Sequence, residues 1–121
     1  MTTPRRQSIE HNEQTKLVMW VRAFHPDLLL AAIPNGGHRR AMEAVKLKSE
    51  GVVAGMPDLC LLEPKNGLHG LFIEMKTEDG KVSENQKKIH ARLTERGYCV
   101  TVCRSFQEGQ QAIIDYLKAS S

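Results

Sequence analysis

Along the chain, stretches of helical periodicity alternate with short apolar runs. From Ser8 onward Ile9, Leu17, Trp20, Val21 and Phe24 fall on one helical stripe, with Ser8 placed as the cap and His25-Pro26-Asp27 ending the helix. Residues 28–34 (LLLAAIP) read as a strand buried on both faces, and Asn35-Gly36-Gly37 as a turn. Residues 38–50 read as a second helix stopped by Gly51. Two apolar strands, 58–63 and 71–76, flank the segment Pro64 to Gly70, whose Asn66-Gly67 pair signals a hairpin. Ser83-Glu84-Asn85-Gln86 has the form of a capping box and opens a helix to about Arg96. Residues 98–103 make a fourth strand, and Ser105-Phe106-Gln107-Glu108 opens a last helix to about Lys118. The order α-β-α-β-β-α-β-α predicts an α/β fold, a mixed four-stranded sheet flanked by helices.

At 121 residues the chain is expected to form one domain over 1–121, with 1–7 and 119–121 frayed. No run is long and apolar enough to span a membrane, and the polar N-terminus is not a signal peptide. The three cysteines (60, 99, 103) are odd in number and form no CxxC, which argues against a disulfide framework or a zinc site and for a reducing, cytoplasmic setting. The five histidines are scattered, most of them expected at the surface. A net charge of +3 permits a polyanionic partner without demanding one. Its distribution is more informative, because residues 38–48 (HRRAMEAVKLK) form a basic run. Phosphate cradles (GxGxxG, GxxxxGK[ST]) and a nucleophile elbow are absent, so no nucleotide cofactor and no serine-hydrolase chemistry is expected.

Three charges stand where buried strands should avoid them: Asp58, Glu74 and Lys76. Side chains alternate along a strand, so Glu74 and Lys76 share a face. A five-residue loop (65–69) would pair Asp58 with Lys76 and Cys60 with Glu74, on that same face; an even-numbered loop would turn Asp58 away. Glu13, four residues from both Ile9 and Leu17, interrupts the apolar stripe of the first helix and could reach the same place, or could be a fringe residue with a solvated head. Converging carboxylates suit a hard divalent cation, which lowers the pKa of a bound water and offsets phosphoryl charge. The competing explanation is a simple cross-strand acid–lysine pair.

Met56-Pro57-Asp58 followed by Glu74-Met75-Lys76 resembles the PD-(D/E)XK motif of the restriction-endonuclease-like nucleases. With Asn35-Gly36-Gly37 and Arg39, Leu47 to Gly51, Gly55 to Leu59, and Ser83 to Gln86, the chain from about 9 to 117 is similar to the VRR-NUC family, in its small stand-alone bacterial and viral form. The resemblance implies a restriction-endonuclease-like core and a Mg²⁺- or Mn²⁺-dependent endonuclease. Asp58, Glu74, the Met75 carbonyl and Glu13 would be the metal ligands, and Lys76 would activate or orient the attacking water. Gln86 would steady the site, or serve only as half of a capping box. It further implies structured DNA as substrate (a Holliday junction or a flap), a homodimer, and a setting in DNA repair, recombination or viral DNA processing, in a bacterial or virus-infected host cytoplasm. Arg39, Arg40, Lys46 and Lys48 are the candidates for phosphate contact, against a solvated helix face. The alternatives are a nucleic-acid-binding module that keeps the fold without chemistry, and a small ligand-binding or partner domain whose charges merely pair.

Overall fold

A computed structural model describes residues 4–34 and 41–118, with side chains described for 8–34 and 45–118. The elements are α1 (Pro4–Phe24), β1 (Leu30–Ala32), α2 (Ala41–Ser49), β2 (Leu59–Leu61), β3 (Leu71–Met75), α3 (Glu84–Glu95), β4 (Cys99–Cys103) and α4 (Phe106–Leu117). Their order is the expected one, and the four strands form one mixed sheet in the order β1-β2-β3-β4. β2 runs antiparallel to both neighbours, whereas β3 and β4 are parallel and joined through α3. No helix among the described residues is long and apolar enough to cross a membrane.

Several local expectations need correction. α1 begins at Pro4 rather than at a Ser8 cap, so residues 4–7 are helical. Proline is at home in a first turn, where its missing N–H has no intrahelical partner to lose. The inward stripe of α1 is narrower than its apolar pattern, because Leu17 and Val21 are buried while Ile9 and Phe24 are 45% and 71% exposed. β1 is a three-residue edge strand buried at Leu30 alone, with Leu29 60% exposed, because only β2 flanks it. The Asn35-Gly36-Gly37 turn lies outside the described residues. α2 ends as expected at Gly51, whose positive φ lets Val52 N–H reach Leu47 O (3.0 Å) and its own N–H reach Lys48 O (3.1 Å).

The hairpin register also differs. Asn66 and Gly67 both have positive φ and make a two-residue turn in which Lys65 and Leu68 exchange hydrogen bonds of 3.1 and 2.8 Å. A two-residue loop alone would send Asp58 to the wrong face. Three residues (Leu62, Glu63, Pro64) lead into the turn from β2 and only two (His69, Gly70) lead out to β3, and the extra residue restores the parity. Cys60 therefore pairs with Phe72, not with Glu74. Continued one pair further, the ladder sets Asp58 across from Glu74.

β3 is buried along its whole length. Leu71, Ile73 and Met75 join Leu59, Leu61, Cys103, Leu17 and Val21 of α1, and Ile113 and Tyr116 of α4, in the apolar core. Phe72 and Glu74 point to the opposite face, where the Phe72 ring meets Tyr98 edge-on at 5.3 Å.

The loop between α2 and β2 is pressed against the first turn of α3. Gly55 has φ +91, and a Cβ there would come within 2.7 Å of Asn85 O. Gly67 has a similar φ (+78) but nothing within 4 Å of such a Cβ. Gly55→Ala should therefore destabilise the chain by about 1–3 kcal/mol in urea unfolding, and clearly more than Gly67→Ala, which carries backbone strain alone. Equal midpoints for the two variants would show that the loop yields without cost.

Candidate active site

Asp58 follows the fully buried Pro57 at the head of β2 and accepts the Met75 N–H through Oδ2 at 2.7 Å. That bond fixes the carboxylate against the backbone of β3 beside Glu74. Glu74 is 2% exposed, a costly place for a charge. Its Oε2 accepts from Gln86 Nε2 at 3.2 Å. Its Oε1 is buried with no hydrogen-bond partner and lies 3.6 Å from His90 Nε2, which is buried in the same condition.

Burial is the first cause that drives the Glu74 carboxyl up, to about 9. The Asp58 charge and the proton that the two carboxyls can share add to it, and Glu10 adds a little more, while Lys76 opposes them. Burial and the Lys76 charge hold the His90 imidazole below its ordinary value, so the His90–Glu74 contact is not a standing ion pair at neutral pH. The site thus sets a buried acid against a second carboxylate, with the Lys76 ammonium near enough to act on both Glu74 and His90.

Gln86 makes contacts on both sides. Its Oε1 accepts from Ser83 N–H (2.9 Å) and its own N–H reaches Ser83 Oγ (3.1 Å), completing the capping box, while its Nε2 holds Glu74. The Met75 side chain is buried in the core, so only its backbone faces the acids.

Glu13 does not join this cluster. Its Oε1 accepts from the Phe106 N–H at the start of α4 (3.0 Å) and its Oε2 pairs with Lys16 (3.1 Å). These two contacts hold its carboxyl below the usual range, as expected for an acid at a helix N-terminus. The acid of α1 whose charge reaches Glu74 is Glu10, with Oε1 shielded from solvent. The sequence carried a signal for it, since Glu10 stands seven residues before Leu17 on the buried stripe. The exposed Ile9 had drawn that stripe one position askew. His90 was missed as well, although it follows Gln86 by four residues and so shares its helix face.

Lys46 and Lys48 are exposed in the last turn of α2. Arg39 and Arg40 lie outside the described residues.

These residues fit a hard divalent cation. Two adjacent carboxyls, one with a buried oxygen lacking a donor, are relieved by positive charge, and Mg²⁺-type sites are commonly held by one or two carboxylates. Among the described residues no three His, Cys, Asp or Glu side chains converge as a ready metal cage. Backbone, water and phosphate oxygens would complete the coordination.

A family model described as the VRR-NUC domain matches residues 3–107. The chain belongs to the VRR-NUC domain family. A solved VRR-NUC domain protein superposes with a TM-score of 0.80 at 28% identity, covering 93% of this chain and 91% of that one. A second solved VRR-NUC domain gives a TM-score of 0.58 at 24% identity, covering 88% and 96%, and speaks for the fold alone. A rice (Oryza sativa subsp. japonica) Fanconi-associated nuclease 1 homolog is 33% identical over 92 residues, 72% of this chain. The VRR-NUC chain spans about 10% of that relative's length.

The raised Glu74 pKa has a consequence for the metal-free protein. The folded state favours protonated Glu74, so its contribution to stability is complete below about pH 4.5 and is lost as pH rises towards 9. In EDTA the Tm of the wild type should fall across that window, and Glu74→Gln, which cannot ionise, should flatten the decline. Parallel Tm–pH curves for the two proteins would refute the assignment.

Proposed function

We propose that this member of a nuclease family is a divalent-metal-dependent DNA endonuclease, selective for branched or flapped DNA and acting as a homodimer in the cytoplasm. The observation that carries the reading is the buried, donor-less Oε1 of Glu74 beside Asp58, under the charge of Lys76. A carboxyl placed this way serves the fold poorly and serves a cation well.

Asp58, Glu74 and the Met75 carbonyl would hold Mg²⁺ or Mn²⁺, with Glu10 rather than Glu13 as the acid from α1. When bound, such a cation lowers the pKa of a coordinated water and offsets charge on the phosphoryl oxygen. Gln86 keeps the Glu74 carboxyl aimed by holding Oε2. Asp58 is kept from rotating by its bond to Met75 N–H. Lys76 orients the attacking water or meets the developing phosphoryl charge with its ammonium. The net charge of +3 and the exposed Lys46 and Lys48 favour a polyanionic substrate, and these lysines would position it by its phosphates without reading sequence.

The test is cleavage of labelled four-way junction, flap and linear duplex DNA in Mg²⁺, Mn²⁺ or EDTA. Wild type should cut the branched substrates only with metal, and Lys76→Ala should slow cutting by about a hundredfold or more. Glu10→Gln should be impaired, whereas Glu13→Gln should lose thermal stability and keep its cutting rate. No cleavage of any substrate, with no rise in Tm on adding Mn²⁺, would sink the metal site and leave a nucleic-acid-binding module without chemistry.

A further inference from the structure

A groove of about 220 Å³ runs between the 51–57 loop and α3. Val53, Met56, Ile89 and Leu93 form its apolar lining, and Arg92 and Arg96 add two guanidinium groups. Val53 is 46% exposed at its mouth. Both walls belong to elements that build the site. The loop runs through Gly55, seated on Asn85, and the buried Pro57 into Asp58. α3 carries Gln86, which holds Glu74, and Ile89 follows one helical turn later, a rise of about 5 Å. One end of the groove, at Met56 and Ile89, therefore lies two residues from Asp58 and one from His90 along the chain.

Size and charge narrow the occupant. Cofactor- and drug-sized ligands fill pockets of roughly 300–1,000 Å³, so this groove suits a single ring system. Arg92 and Arg96 continue a line begun by the exposed Lys88, at steps of four residues along α3. A cationic line beside an apolar floor complements one nucleotide, whose base is flat and apolar on its faces and whose phosphates are anionic. A second copy of this face would bring like charges together.

We propose that the groove is a subsite for one unpaired nucleotide of the substrate, its base lying on Val53, Met56, Ile89 and Leu93 and its flanking phosphates or base face engaged by Arg92 and Arg96. The assignment rests on the nuclease reading for its choice of DNA. It adds that the substrate must offer an unstacked base beside the scissile phosphate, because a base kept inside the duplex stack cannot enter. Unpaired nucleotides occur at flaps, gaps and junction centres, so the groove gives a physical source for selectivity without sequence readout.

The test is equilibrium binding in EDTA, where no cutting can occur, of duplexes with and without one unpaired 2-aminopurine nucleotide. Wild type should prefer the unpaired substrate by about tenfold, with a change in 2-aminopurine emission that reports stacking or burial. Val53→Ser should keep its circular dichroism spectrum and its duplex affinity within about twofold and lose most of that preference, and Arg92→Ala should weaken the unpaired substrate more than the duplex. Equal affinities in wild type, or a preference untouched by both substitutions, would overturn the subsite, as would saturation of the groove by an acidic peptide that leaves DNA binding unchanged. Because this readout needs no catalysis, a preference found in a protein that never cuts would retain the subsite and dismiss the nuclease reading alone.

Discussion

The structure depends on a carboxyl group buried near the end of an inner strand, Glu74 of β3. Glu74 cannot be a surface charge, because β3 is covered along its length. Asp58 stands across from it, so it cannot be relieved by a simple ion pair either. Burial, with the Asp58 charge added to it, drives the Glu74 carboxyl up to about 9, which favours the protonated acid in the metal-free chain. A cation would answer the same demand with charge. The neighbours follow from that demand: Gln86 supplies a neutral donor, His90 stays close to neutral at the second oxygen, and Lys76 sits near enough to temper the acid without quenching it.

Bonds that build the fold also aim the site. One amide, Gln86, caps α3 with its oxygen and holds Glu74 with its nitrogen, so the helix cannot shift without moving the carboxyl. Gly55 locks the approach to Asp58 against the same helical turn. Arg104, just beyond β4, gives a single guanidinium nitrogen to the carbonyls of Thr77, Glu78 and Gly80, tethering the loop that follows Lys76. Glu13 ties α1 to the start of α4 and so sets how α1, with Glu10 one turn earlier, approaches the acids. Preorganisation here consists of ordinary caps and tight contacts placed around an expensive charge.

The clearest gap between sequence and structure lies in the choice between Glu10 and Glu13. Both fit a helical stripe within one residue of tolerance. Only the pairing of Glu13 with the Phe106 N–H, made by a residue 93 positions away, decides between them. His90 was hidden for a related reason: a lone histidine on a polar helix carries no periodic signal, and only the approach of α3 to β3 gives it a partner. The hairpin shows a subtler case. The Asn66-Gly67 turn was legible, but the extra residue in one arm, which returns Asp58 to the face of Glu74, was not.

By itself the sequence determined the order of helices and strands, the capping box at Ser83 and Gln86, the Gly51 stop and the short motifs that carry Asp58, Glu74 and Lys76. These are local properties, set by side-chain periodicity and by the backbone freedom of a few glycines. Only the tertiary structure decided the register that faces Asp58 with Glu74, which acid of α1 reaches them, and the groove that the 51–57 loop shares with α3. Those depend on distances between residues far apart in the chain, and a carboxylate at the surface and one beside another carboxylate are written with the same letter.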